Sequence, residues 1–214
     1  DLDKRVHRTK QRPIASGKIS VKQSIFYVLI LCLISFLILI QFNSKTIYLG
    51  LGSMVLAFSY PFMKRITYWP QFVLGITFSW GVLIVSTEFN QSLTFPFILL
   101  YSACVIWTIG YDTIYAYQDV EDDIKQNIKS TAVYFGKNGK WYVATCYALV
   151  LVIFGYLGWN SSNSFFSIFI LAIIGICTYI AIQKWDINSK ESSNFYFRQN
   201  NIFAFMLFLY LLIF

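Results

Sequence analysis

The stretch Leu93-Thr-Phe-Pro-Phe-Ile-Leu-Leu-Tyr-Ser-Ala-Cys-Val-Ile-Trp-Thr-Ile-Gly-Tyr111-Asp-Thr-Ile-Tyr-Ala-Tyr117 runs on into Gln118-Asp-Val-Glu-Asp-Asp123. Its first 25 residues are oily for longer than a hydrocarbon core of about 30 Å requires. Its end, 111–123, holds Asp112, Asp119, Glu121, Asp122 and Asp123, half of all the acidic residues. Asp119 and Asp123 are four apart, so on a helix they share a face. Tyr115 and Asp112 continue that stripe one and two turns deeper into the apolar segment. A solvated helix carries such a stripe freely. One flanked by membrane-length oil does not, so these carboxylates imply a divalent cation, a basic partner or a proton-linked role.

The same reading extends outward. With 57% hydrophobic, 20% aromatic and 13% charged residues, the chain is far from the soluble norm of about 25% charged. Seven segments are long enough to cross a bilayer, near 22–42, 46–63, 69–87, 93–117, 141–159, 164–184 and 199–214. The connections are too short for a second domain. The expected fold is therefore all-α, a polytopic transmembrane helical bundle with residues 1–214 in one domain.

Strict alternation through seven crossings puts 1–21, 64–68, 118–140 and 185–198 on one side. With the loop-adjacent ends included, every Lys and Arg except Lys45 falls there, which marks that side as cytoplasmic or matrix. Of the acidic residues only Glu88 lies opposite. The net charge of +7 thus reflects topology and gives no argument for nucleic-acid binding. A surface both basic and locally acidic suits a metal-bridged anion, with carboxylates on the metal and Lys or Arg on phosphate oxygens.

Cys32, Cys104, Cys146 and Cys177 lie inside predicted spans without paired spacing and read as small buried hydrophobes. His7 reads as a solvated loop residue. Pro13 and Gly17 predict a turn before the first crossing. Tyr68, Trp69, Trp141, Trp159 and Trp185 read as interfacial belt residues. Gly50, Gly52, Gly75 and Gly81 would permit close helix approach. After Asp123, the pattern predicts a short amphipathic helix over the mouth of the bundle, with Lys125 and Lys129 on one face.

Four blocks, 1–17, Tyr60-Pro-Phe-Met-Lys-Arg-Ile-Thr-Tyr-Trp-Pro-Gln-Phe-Val-Leu-Gly75, 111–123 and Ile128-Lys-Ser-Thr-Ala-Val-Tyr-Phe-Gly136, together resemble the UbiA-type intramembrane prenyltransferases. Within them the resemblance is to the 4-hydroxybenzoate polyprenyltransferases of ubiquinone synthesis. It implies a nine-helix bundle, here without its first span and most of its second, so that the 214-residue chain alone is expected to be inactive. Asp3 matches the last acid of the family's first Asp motif, and Asp119 and Asp123 match its second. Val120 and Glu121 stand where Arg and Asp are common, and Asn127 where Gly is usual.

The activity so implied is transfer of a polyprenyl group from polyprenyl diphosphate to the ring carbon ortho to the hydroxyl of 4-hydroxybenzoate, in a lipid bilayer. Bacterial inner membrane is the expected location, with the mitochondrial inner membrane as the other host. Asp3, Asp119 and Asp123 would hold Mg2+, while Arg8, Arg12 and Lys129 contact diphosphate. Tyr115 would face the allylic cation, with Tyr117 read rather as helix packing. Arg65 is the candidate for the acceptor carboxylate and Asp112 for the phenol or the departing proton. Other acceptors (naphthoate, homogentisate, haem) stay open. A transporter using the same acids for a coupling ion is the second class, although no inverted repeat or pair of broken helices is visible.

Overall fold

A computed structural model describes residues 10–90, 92–162 and 164–214. Asp3, Arg8 and His7 lie outside the described residues. The polar opening ends in the turn that Pro13 and Gly17 predict. The Ser16 backbone N–H donates to Arg12 O at 2.8 Å, and Gly17 takes φ +79°. Ser20 and Gln23 then form a capping box, which satisfies N–H groups that would otherwise be orphaned at a helix start.

That helix is α1 (Val21–Leu39), followed by α2 (Ser44–Ile66), which Asn43 caps. The third crossing is broken into α3 (Pro70–Phe78) and α4 (Gly81–Asn90). At the break the Trp80 indole N–H donates to Leu49 O at 3.0 Å, tying it to α2. Next come α5 (Phe95–Ala116), the short α6 (Val120–Lys125) and α7 (Thr131–Phe135), then α8 (Gly139–Ser162), α9 (Phe165–Lys184) and α10 (Lys190–Ile213). No strand occurs among the described residues.

Six helical segments among the described residues are long and apolar enough to span a membrane, one fewer than expected. The difference is α10. Its predicted crossing at 199–214 is the second half of a longer helix, and Arg198-Gln-Asn-Asn201 interrupts the oil, leaving an apolar run only from Ile202. The outer surface is that of a membrane protein: Leu29, Val55, Val152 and Leu212 are each more than half exposed. Apolar side chains over so much surface need lipid against them.

Helix α5 is the centre, packed against α3, α4, α7, α8 and α10. Gly75 lets α3 approach it, because a Cβ there would stand 2.8 Å from the Val105 carbonyl oxygen. Gly50 is likewise enclosed, by Leu39, but Gly52 and Gly81 face open space and play no such part. Cys146 is buried, whereas Cys32 and Cys177 point outward, so two of the four cysteines depart from the buried reading. Trp185 also departs from its belt assignment. It is fully buried, packs edge-on against Tyr117 at 5.2 Å and donates to Ser193 Oγ at 3.0 Å. Tyr117 is packing, as read: buried, with its hydroxyl donating to Gly136 O.

The two ends of the bundle differ as the charges predict. At one, Lys129 Nζ donates to Ile66 O at 3.1 Å, Lys140 Nζ to Gln183 O at 3.1 Å, and Lys190 pairs with Glu121 at 3.3 Å. At the other, the Asn43 amide donates to Glu88 Oε2 at 2.7 Å. The basic loops thus meet at a single face.

Candidate functional site

At that face, α5 ends at Ala116 and the chain turns through Gln118 and Asp119 into α6. Asp119 takes the N-cap position, yet its side chain does not cap the helix it begins. The Asp123 N–H donates to Asp119 O at 2.8 Å, so the two acids are held one turn apart. Asp123 is only 5% exposed. Burial pushes its carboxyl up to about 6; Asp119 and Asp122 push the same way, while Lys64 and the Ser130 hydroxyl oppose them. A buried acid beside two others carries more negative charge than its surroundings balance.

The exit from α6 is a Schellman turn. Ile128 N–H donates to Asp123 O at 2.8 Å and Asn127 N–H to Ile124 O at 3.2 Å, with Asn127 at φ +52°. Asn is among the few side-chain-bearing residues that enter this left-handed region readily. The departure from glycine at 127 therefore keeps the turn that glycine would make. It also corrects the helix predicted after Asp123. The left-handed residue stops α6, and the chain crosses back to α2, where Lys129 N–H donates to Lys64 O at 3.0 Å. Lys125 and Lys129 then share no helix face.

Lys64, in the last turn of α2, lies within electrostatic range of both Asp112 and Asp123. Lys64 and its neighbour Arg65 are both exposed. Asp112 also has the Gln71 amide as a hydrogen-bonding neighbour. Tyr60 of α2 faces Asp112, Tyr111 and Tyr115 of α5, and the Tyr115 ring packs on Phe197 of α10 at 4.7 Å. Tyr60, Tyr111 and Tyr115 thus gather near Asp112, with Lys64 in electrostatic range of both Asp112 and Asp123.

Of the residues expected from sequence, Asp112, Tyr115, Asp119 and Asp123 are brought to this region. Lys129 is there too, tied to Ile66 O and 5.5 Å from the Tyr68 ring centre. Arg12 is an exposed residue of the turn before α1. Glu121 turns away to Lys190. Lys64, Tyr60 and Gln71 were missed. Lys64 carried no sequence signal to set it apart from Arg65, whereas Gln71 carried a visible one, a lone amide opening an apolar span. A cavity of about 180 Å³ between α9 and α10 is lined by Tyr147, Thr178, Trp185, Asn200 and Phe203 among others. None of the four site residues above lines it.

Comparisons with known proteins identify the family and agree with the fold. The profile of the UbiA prenyltransferase family matches residues 1–211. The chain is 48% identical over 151 residues to 4-hydroxybenzoate octaprenyltransferase of Pseudomonas fluorescens (strain SBW25), covering 71% of this chain and 51% of that protein. It is 36% identical over 210 residues to the enzyme of the same name in Psychromonas ingrahamii, covering 97% of this chain and 72% of the relative. The chain thus spans between about half and three quarters of the length of these relatives. In fold it is similar to the apo UbiA homologue of Aeropyrum pernix K1, with a TM-score of 0.73 at 22% identity over 98% of this chain and 80% of that one. It is also similar to the Archaeoglobus fulgidus homologue bound to GPP and Mg2+, with a TM-score of 0.63 at 18% identity over 98% and 78%. The match over almost every residue, with a relative that aligns along nearly the whole chain, assigns this integral, multi-pass membrane protein: it belongs to the UbiA prenyltransferase family.

Proposed function

We propose that the protein transfers a polyprenyl group from polyprenyl diphosphate to the ring carbon ortho to the hydroxyl of 4-hydroxybenzoate, in ubiquinone synthesis. The observation that carries this is the Asp119–Asp123 pair, held one turn apart just beyond the end of α5, with Lys64 in electrostatic range of Asp123. The names of the relatives supply the acceptor. The balance is simple: the allylic carbon–oxygen bond breaks, a carbon–carbon bond forms to the ring, and diphosphate and one proton leave.

Asp119 and Asp123 fit magnesium. They are oxygen donors held one turn apart by the Asp123 N–H to Asp119 O hydrogen bond. Among the described residues no three His, Cys, Asp or Glu side chains form a metal group. An ion held by one or two carboxylates fills its remaining positions with water and phosphate oxygens. When bound, it neutralises charge on the departing diphosphate. Asp3 is the third proposed ligand.

The chain's own residues do the rest. Arg8, Arg12 and Lys129 contact the diphosphate, and Lys64 is a fourth candidate for it. Tyr115, backed by Phe197, turns its ring toward the developing allylic cation. Arg65 holds the acceptor carboxylate, and Asp112 orients the phenol and takes up the proton. The polyprenyl tail stays in the bilayer along the apolar outer faces, which spares its transfer into water. In this reading the reaction runs on the cytoplasmic face of a bacterial inner membrane, or the matrix face of a mitochondrial one, and the gathering of Lys and Arg on one side supports that face.

The test is an assay of the full-length protein in membranes with labelled 4-hydroxybenzoate, a polyprenyl diphosphate and either magnesium or a chelator. Ring-prenylated product with magnesium and none with chelator is expected. Homogentisate or naphthoate prenylated in preference would reassign the acceptor, and no product with any acceptor would end the proposal.

A further inference from the structure

Gln71 is 1% exposed at the start of α3, inside an otherwise apolar span. Its carbonyl oxygen accepts the Thr131 backbone N–H at 3.2 Å. Thr131 begins α7, so that N–H has no partner within its own helix. The Thr131 hydroxyl meets the Thr113 hydroxyl at 2.7 Å, and because Thr113 already donates to Ile109 O at 2.6 Å, Thr131 is the donor. Thr113 follows Asp112 in α5. Gln71, Thr113, Ser130 and Thr131 are all buried, so the lattice is shut off from solvent.

An amide has one acceptor end and one donor end. The Thr131 N–H can be met only by the oxygen, which fixes the orientation of the group. The NH2 end is thereby left over, with the Asp112 carboxylate as its neighbour. A carboxylate accepts and never donates when ionised, so the match is complementary. Segment 128–131, meanwhile, continues directly from the Schellman turn that closes on Asp123.

We propose that Gln71 is a positioning residue that joins the two halves of the site: its oxygen pins Thr131, and hence the segment leaving Asp123, while its nitrogen orients Asp112. Order at the metal-binding end is thereby transmitted to the residue that handles the acceptor. The inference rests on the function proposed above for the role of Asp112, but its clamp on Thr131 does not.

Two variants separate the ends of the amide. Gln71→Glu keeps an oxygen for Thr131 and sets a second acid beside Asp112, whereas Gln71→Leu removes both ends. Hydrogen exchange at the Thr131 amide, in the purified protein, reads the clamp without any reaction. The rate should rise at least tenfold in Gln71→Leu and stay within threefold in Gln71→Glu. Kinetics read the other end. In Gln71→Glu, kcat/KM for 4-hydroxybenzoate should fall tenfold or more and its pH profile should shift, with KM for the polyprenyl diphosphate within twofold of wild type. Unchanged exchange in Gln71→Leu, or equal losses for both substrates in Gln71→Glu, overturns the proposal. A wild-type protein that shows the exchange pattern but transfers no prenyl group supports the clamp and refutes the assigned reaction instead.

Discussion

Acidification should weaken divalent-metal binding in a pH range where an ordinary aspartate would be indifferent. Asp123 is the cause, since burial raises its carboxyl from 3.8 to about 6 in the metal-free chain. Only the ionised form binds metal. With a midpoint of about 6, the ionised fraction is about nine-tenths at pH 7 and about one-tenth at pH 5. The affinity should therefore drop close to tenfold across those two units, or about 1.4 kcal/mol. The effect on folding has the opposite sign. A raised carboxyl pKa means that the native metal-free state holds its proton more tightly than the unfolded chain. The destabilisation is present above pH 6 and is relieved as pH falls toward 4. Titration calorimetry with Mn2+ alone at pH 5, 6, 7 and 8 would measure the slope. Asp123→Asn should bind weakly at every pH and show no such slope. Lys64→Ala should move the midpoint upward, since Lys64 opposes the shift. A wild-type affinity that is flat from pH 7 to 5, or a slope that persists in Asp123→Asn, refutes the reasoning.

Gly75→Ala should lower thermal stability in detergent by about 1–3 kcal/mol, because its Cβ would meet the Val105 backbone at 2.8 Å and force α3 from α5. Asn127→Gly should leave metal affinity within twofold of wild type, whereas Asn127→Val should cost about 1–2 kcal/mol at its left-handed position and weaken metal binding. Tyr147→Phe, which leaves the buried Asn200 oxygen unpaired, should destabilise by about 1–3 kcal/mol in the same melts. Glu121→Gln breaks an ion pair whose side chains are half to two-thirds exposed, so melting should register less than about 1 kcal/mol. Its metal affinity should not change.

What the sequence reveals here depends on whether a feature is periodic or relational. Helix existence, the single charged face and the Asp119–Asp123 pairing follow from hydropathy, alternation and a four-residue spacing, each a local property. The Lys64 and Arg65 roles are different. One residue of helix phase, about 100°, separates them, and it is set by how α2 packs. Gln71 stands out as a polar residue in oil, but its partner Thr131 lies in a different helix and is visible only once the chain is folded. Trp185 fits a belt by composition, and only the approach of Tyr117 and Ser193 makes it core. The expected seventh crossing falls short in composition alone, because the helix that carries it runs on through Arg198-Gln-Asn-Asn201 and only its second half is oily.

The burial of Trp185 reaches further than its own turn. It stands where the polypeptide doubles back toward its C-terminal helix, and its indole is wedged beneath the ring that precedes the acidic elbow. The elbow is therefore buttressed from a region far downstream. The two aspartates that a short motif announces thus lie beyond a ring braced by the last hairpin of the bundle, and the geometry of the candidate site belongs to the tertiary assembly as much as to the motif.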